Sequence, residues 1–347
     1  MFKYALAAIF SALIVISTAP AAQAAAHGHS AAKKHSASKA GRGKAVVASL
    51  RTRSDKVIIR VRGKRTVSYR PVRSANIIPL PRSAGDVAGL NLTGDQVGLA
   101  SNVAFVLDQT SSEVLFEKNA NVALPIASIT KLMTGLVVVQ AQQDMHEMLY
   151  ITDGDIDHEK HTSSRLNIGA RMTRGDLLHI ALMSSENRAA SALGRNYPGG
   201  ISAFVEAMNA KARQLGMNDT HYVDANGLSS RNVASARDLA KLAVAAYQEP
   251  LLREYSTDPK YQVDAGGRLM HYSNTNYLVA SPDWDIGLQK TGFINEAGRC
   301  LVMQAIIQGR AVIMVFLDSK GKQSRTADAG RMRKWLEQLQ LRAPGLG

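Results

Sequence analysis

The chain has 347 residues, enough for one large domain or two ordinary ones, and 46% hydrophobic residues supports a sizeable core. Its net charge of +14 is unevenly spread: from Lys33 to Arg73 there are 14 lysines or arginines and a single acid, Asp55, while the chain from Asn76 onward is close to balance. The basicity therefore belongs to an N-terminal segment, and a lone cysteine, Cys300, excludes an intrachain disulfide scaffold.

The first residues have the pattern of an export signal. Lys3 supplies the positive start, residues 5–17 an apolar stretch, and Ala22-Gln23-Ala24 a small-x-small cleavage site. Thirteen apolar residues are too few to span a bilayer permanently, and an uncleaved anchor is the alternative. Residues 1–24 are set outside the fold. No later run is long and apolar enough for a transmembrane helix.

Residues 25–75 are rich in Ala, Ser, Gly, Lys and Arg and poor in aromatics, so they cannot bury enough surface to fold alone. They read as a flexible basic segment, with residues 57–61 as a short strand inside it. Such a segment is a solvated linker or an attachment to an anionic surface, whether wall polymer, lipopolysaccharide or lipid head group. Nucleic acid is excluded as a partner by export. Residues 76–101, with Pro79, Pro81 and several glycines, read as a lead-in loop, so 25–100 form the N-terminal segment and 101–342 the folded domain.

Within that domain, residues 103–107 and 114–117 are short apolar runs separated by a polar turn, a β-hairpin pattern. Ser128-Ile129-Thr130-Lys131 follows, directly before the apolar run 132–139. Read as a helix start, it puts Lys131 on the same face as Ser128, one turn on. A serine hydroxyl needs a base within hydrogen-bond reach, and a lysine amine can serve if its pKa is depressed. Free backbone N–H groups at the helix start would help to stabilise an oxyanion. From 150 to 280 the pattern is mainly helical: a buried helix after Arg174, an amphipathic helix at 201–215 ended by Gly216, and another at 236–247 with Ser235 as N-cap. Strands return at 286–291, then at 300–308 and 311–317, a hairpin with Gly309 at its turn, before a last helix at 327–341. Strands at both ends with a helical middle imply an α/β (α+β) chain. Its sheet is assembled from distant segments, its helices form a second lobe, and a cleft lies between.

Two further motifs stand downstream. Ser185-Glu186-Asn187 begins 57 residues after Ser128, and Lys290-Thr291-Gly292 begins 105 residues after that. Taken singly, Ser185 reads as a helix-terminal serine, Lys290 as a solvated strand lysine and Gly292 as a turn glycine. In the order Ser-x-x-Lys, Ser-x-Asn, Lys-Thr-Gly they form the signature set of penicillin-binding proteins and serine β-lactamases. His158 and His161 lack a His-Glu-x-x-His spacing and read as a polar loop; no metal or cofactor is expected. Cys300, Met183, Met208, Met303 and Met314 read as core residues.

From about 103 to 340 the sequence resembles the low-molecular-mass penicillin-binding proteins of the D-alanyl-D-alanine carboxypeptidase type. It is most similar to their D-alanyl-D-alanine endopeptidase branch. The closer likeness rests on residues 125–134, 181–190, Tyr197-Pro198-Gly199-Gly200 and Lys290-Thr291-Gly292-Phe293, and on a chain that stops soon after its terminal helix. The resemblance implies an antiparallel sheet flanked by helices plus a helical lobe, with the active site in the cleft. It also implies a periplasmic enzyme that acts on peptidoglycan stem peptides and is acylated by β-lactams.

On that resemblance Ser128 attacks the carbonyl of a D-amino acid peptide bond and Lys131 takes its proton. Ser185 relays a proton to the leaving amine, and Asn187 holds the substrate amide and the neighbouring lysine. Lys290 binds a substrate carboxylate and lowers the pKa of Lys131, and Thr291 helps to hold that carboxylate. Gly292 lets the substrate backbone approach the edge strand, and the N–H groups of Ser128 and Phe293 form the oxyanion hole. Cross-link cleavage and removal of terminal D-alanine use the same chemistry. A β-lactamase is the first alternative, but Glu206-Ala207-Met208-Asn209 has the wrong spacing for a deacylating element and lies inside an expected helix. A non-catalytic wall-binding protein is the second.

Overall fold

The structure, a computed structural model, describes residues 56–61, 64–69 and 82–342. The export signal read at 1–24 and most of the basic segment lie outside the described residues. Within that segment, β1 (Lys56–Val61) and β2 (Lys64–Tyr69) pair antiparallel, Val57 opposite Ser68 and Ile59 opposite Thr66. The strand expected at 57–61 therefore has a partner strand that the sequence reading missed. This hairpin belongs to a unit separate from the one that begins at Ile78.

In that second unit, residues 82–100, expected to be a lead-in outside the domain, are built onto it. The short helix α1 (Ala84–Val87) is N-capped by Ser83, whose hydroxyl also donates to the Asp318 carboxylate at 2.8 Å. The carboxylate of Asp328 accepts from the backbone N–H groups of Ala100 and Ser101 at 3.0 and 2.9 Å. Both carboxylates lie more than 200 residues away in sequence, so local composition gives no hint of these ties.

The strands β3 (Ser101–Asp108) and β4 (Val114–Lys118) form the expected hairpin, its turn pinned by the Asp108 carboxylate accepting from Thr110 and Ser111. A bridge, β5 (Leu124–Pro125), leads into a 3₁₀ turn at Ala127–Ile129 and then α2 (Thr130–Gln140). Ser128 thus sits on the 3₁₀ turn just before the α-helix rather than in its first turn. The strand pair β6 (Met148–Tyr150) and β7 (Arg171–Thr173) precedes α3 (Arg174–Met183), which starts on a Thr173/Asp176 capping box. The helices α4 (Asn187–Arg195) and α5 (Gly200–Gln214) follow. Next, β8 (Val233–Ala234) pairs with β5, and α6 (Ala236–Tyr247) begins on Ser235, whose side chain accepts from Asp238 N. After α7 (Pro250–Thr257) comes a hairpin, β9 (Lys260–Asp264) and β10 (Leu269–Ser273), inside a stretch expected to be mainly helical. The chain ends with β11 (Asp285–Ile294), β12 (Gly298–Ile307), β13 (Arg310–Ser319) and α8 (Ser324–Arg342).

The sheet has five antiparallel strands in the order β11-β12-β13-β3-β4. β13 joins the two ends of the chain, Met314 lying opposite Met303 on one side and Val106 on the other. Side chains alternate between two cores, as the two-residue period of a strand requires. Val103, Phe105, Val302, Ile313 and Val315 face the helical side, where Leu132, Leu136, Leu239 and Leu242 lie. Ala104, Val106, Leu301, Met303, Met314 and Phe316 face α8 through Ala329, Met332 and Leu336. A strand buried on both faces reads as a near-continuous apolar run, which is the pattern of residues 300–307 apart from the buried Gln304. Met183, Met208, Met303, Met314 and Cys300 are all buried. Topology leaves β11, with Lys290, Thr291 and Gly292, as a sheet edge.

Candidate active site

Ser128 is held in place from behind. Thr130 Oγ1 donates to the Ala127 carbonyl at 2.8 Å, and Asn232 Nδ2 donates to Thr130 Oγ1 at 3.1 Å. Ala127 adopts φ 48°, a left-handed conformation costly for a residue with a Cβ. A tight turn at 224–227 presses on the same place. The Asp224 carboxylate accepts from the N–H groups of Asn226 and Gly227 and from Asn232 Nδ2. Gly227 has φ +80°, and a Cβ there would lie 2.0 Å from the Ala127 oxygen. Only glycine allows that approach.

Lys131 is 1% exposed. Its Nζ donates to Ser128 Oγ at 2.9 Å, to Asn187 Oδ1 at 2.8 Å and to the Asn226 carbonyl at 2.5 Å. Its ammonium form has three donors, so in that form all of them are committed. Burial brings its pKa down to about 7, against the opposing pull of the Asp224 and Glu186 carboxylates. The second motif follows from a break between helices. After α3, Ser185 takes φ 63°, Glu186 N-caps α4 by accepting from Arg188 N, and Asn187 is the first residue of α4. The capped start of α4 aims the Asn187 carboxamide at Lys131, while its Nδ2 donates to Thr162 Oγ1 at 3.1 Å.

The third wall is β11. Lys290 is fully buried, its Nζ donating to the Thr291 carbonyl at 2.9 Å. Its pKa is pushed well down, first by burial and then by the charges of Lys131 and Arg325. The like-charge effect expected on Lys131 therefore acts on Lys290, and Lys131 is lowered by burial. Thr291 Oγ1 lies 2.6 Å from Thr275 Oγ1. A Cβ on Gly292 would lie 2.9 Å from the Ile126 oxygen and 3.2 Å from Ser128 N, so this glycine also lets the strand close against the serine turn. Phe293 is 50% exposed, beneath the Arg299 guanidinium.

Ser128, Lys131, Asn187, Lys290 and Gly292 thus meet in one corner, with Ser185 and Glu186 immediately before Asn187. Several neighbours were missed. The turn Asp224-Ala225-Asn226-Gly227 carries a visible turn signature, but nothing in it says that the Asn226 carbonyl receives Lys131. Arg325 donates to the Gly292 carbonyl at 2.7 Å, and no sequence signal marks it. The β-lactamase alternative gains no support. Glu206 and Asn209 lie on α5, and the Asn209 amide nitrogen donates to the Val205 and Tyr222 carbonyls. Cys300 has its thiol pushed up to about 12 by burial, which leaves it inert as a nucleophile.

The sequence pattern of the D-alanyl-D-alanine carboxypeptidase family, peptidase S11, matches residues 91–321. The chain belongs to this family. Among S11 relatives, it is 48% identical over 258 residues to the D-alanyl-D-alanine endopeptidase of Pseudomonas aeruginosa, covering 74% of this chain and 82% of that one. It is 42% identical over 247 residues to the D-alanyl-D-alanine endopeptidase of Escherichia coli, covering 71% and 80%. Among solved structures, the Streptomyces K15 DD-transpeptidase aligns with a TM-score of 0.64 at 27% identity, over 68% of this chain and 97% of that one. Penicillin-binding protein D2 of Listeria monocytogenes, in its cefotaxime-bound form, aligns with a TM-score of 0.62 at 29% identity, over 70% and 98%. The fold is thus that of the S11 and penicillin-binding enzymes, and it is a serine DD-peptidase fold.

Proposed function

We propose that this protein is a D-alanyl-D-alanine endopeptidase that hydrolyses peptidoglycan cross-links through an acyl-enzyme on Ser128. The observation that carries the reading is the 2.9 Å contact between Ser128 Oγ and a fully buried Lys131, whose pKa of about 7 leaves an appreciable neutral fraction near neutral pH. Relatives bearing the endopeptidase name, 48% and 42% identical, favour cross-links over terminal D-alanine as the target. The family's own description favours the second reading, a carboxypeptidase.

In this reading Lys131 accepts the Ser128 proton as the hydroxyl attacks the D-alanyl carbonyl. The oxyanion forms against the N–H groups of Ser128 and Phe293. The tetrahedral adduct collapses, and the leaving amine takes a proton delivered through Ser185. Asn187 holds both Lys131 and the substrate amide. Lys290 and Thr291 receive the carboxylate next to the scissile bond. Water then enters by the same route in reverse and frees the acid. The same serine would be acylated by β-lactams. The export pattern at residues 1–24 supports action in the periplasm, and the basic stretch from Lys33 to Arg73 supports retention on an anionic wall or membrane surface.

Incubation with purified sacculi followed by muropeptide analysis tests the reading. Cross-linked dimers should fall and monomers rise, and Ser128→Ala should abolish the change together with labelling by a fluorescent penicillin. Pentapeptides converting to tetrapeptides with dimers untouched would establish the carboxypeptidase instead.

A further inference from the structure

The segment 156–169 leaves the helical lobe and reaches across to the sheet. Its base is anchored by buried Asp155, paired with Arg195 of α4 at 2.9 Å. Its tip is a tight turn: Asp157 Oδ1 accepts from Glu159 N and Lys160 N at 2.9 and 2.8 Å, and Oδ2 accepts from Thr162 N and its hydroxyl at 2.8 and 2.7 Å. The returning limb is tied to the second motif, Thr162 Oγ1 accepting from Asn187 and the Ser164 hydroxyl donating to Glu186. From this tip Lys160 Nζ meets Glu296 Oε1 at 2.5 Å. Glu296 stands in the turn between β11 and β12, three residues past Phe293, and its backbone carbonyl is fixed by Ala84 N at 2.8 Å. The loop therefore runs from Asn187 on one wall to the far end of the edge strand on the other.

A peptide lying antiparallel on β11 with its carboxylate at Lys290 sends its N-terminal part past Gly292 and Phe293. At about 3.3 Å per residue, the second or third residue before the attacked carbonyl comes under this span. The pair is built to part. Its side chains are 25% and 41% exposed, which makes it weak, and the second carboxylate oxygen of Glu296 is buried with no hydrogen-bond partner.

We propose that the Lys160–Glu296 ion pair is a latch across the exit of the acyl-donor stem peptide, which opens to admit a cross-linked peptide still joined to its glycan and stays shut for short acyl donors. This rests on the endopeptidase reading and specifies which substrates meet the latch. Lys160→Ala and Glu296→Ala should each raise kcat/KM on purified cross-linked muropeptide dimers by about two- to fivefold, the reach of one partly exposed ion pair. Acylation by a penicillin with a short side chain should stay within about twofold of the parent. The exchange Lys160→Glu with Glu296→Lys should return the dimer rate to the parent value. High salt should accelerate the parent on dimers and leave the single variants unchanged.

The latch is overturned if the single variants leave dimer cleavage unaltered. It is also overturned if they slow it without recovery in the exchanged pair, since Lys160 would then be grasping a substrate carboxylate. Equal slowing of penicillin acylation overturns it too, because the loop would then serve to hold Asn187. A parent protein that neither takes up penicillin nor cleaves dimers fails the endopeptidase reading itself, a result separate from all of these.

Discussion

Charged Lys131 has three acceptors for its three protons, and they come from segments far apart in the chain: Ser128, Asn187 and the Asn226 carbonyl. Its side chain is buried there, and burial lowers its pKa to about 7 against the upward pull of the neighbouring carboxylates. The sign of the pH dependence follows. A general base must be neutral, so acylation should be on a plateau above this pKa and fall about tenfold per pH unit below it. Stopped-flow acylation by a penicillin should give an acid limb with its midpoint near 7. Glu186 pulls that midpoint upward, so Glu186→Gln, which keeps an acceptor for Ser164 and for the α4 cap, should move the limb to lower pH. An unmoved limb would assign the titration to another group.

At the scale of elements, the site depends on how closely three backbones approach. β11 comes against the serine turn because position 292 has no side chain, and the 224–227 turn does the same from behind because position 227 has none. β11 holds its position as the edge of a sheet completed from both ends of the chain, with α8 closing the opposite face. Asp328 of α8 is the tie between them. It is fully buried and accepts from Ala100 N, Ser101 N and the Ser101 and Ser319 hydroxyls. Asp328→Ala strands several buried donors at once and should cost about 2–4 kcal/mol in denaturant unfolding. The rate of penicillin acylation by the molecules that remain folded should be unchanged, because the residue touches none of the catalytic groups.

For the whole molecule, charge is separated along the chain: the excess of +14 belongs to the stretch before Asn76, and the enzyme domain is near balance. A multivalent basic segment binds an anionic polymer by charge, and salt weakens that binding. Deleting residues 25–75 should therefore leave acylation by a soluble penicillin unaltered while reducing co-sedimentation with sacculi at low ionic strength. At high ionic strength the full-length and shortened chains should sediment alike. Equal retention at low ionic strength would remove the segment from wall attachment.

The parts legible in the sequence were those with a local cause. The short apolar run at residues 103–107, the turn at Gly309, the Ser235 cap and the helical spacing before Leu215 each arise from neighbours along the chain, and the structure reproduces the corresponding elements. Ser128, Lys131, Ser185, Asn187 and Lys290-Thr291-Gly292-Phe293 could be picked out as candidates because the order of three short motifs is itself written in the chain. Tertiary structure alone decided that residues 82–100 belong to the domain, that the carbonyl of Asn226 receives Lys131, that Arg325 reaches the Gly292 carbonyl and that Lys160 spans to Glu296. Each of these joins groups tens or hundreds of residues apart through a backbone carbonyl or a single side chain. Neither leaves a mark in local composition, so only packing brings the partners within reach.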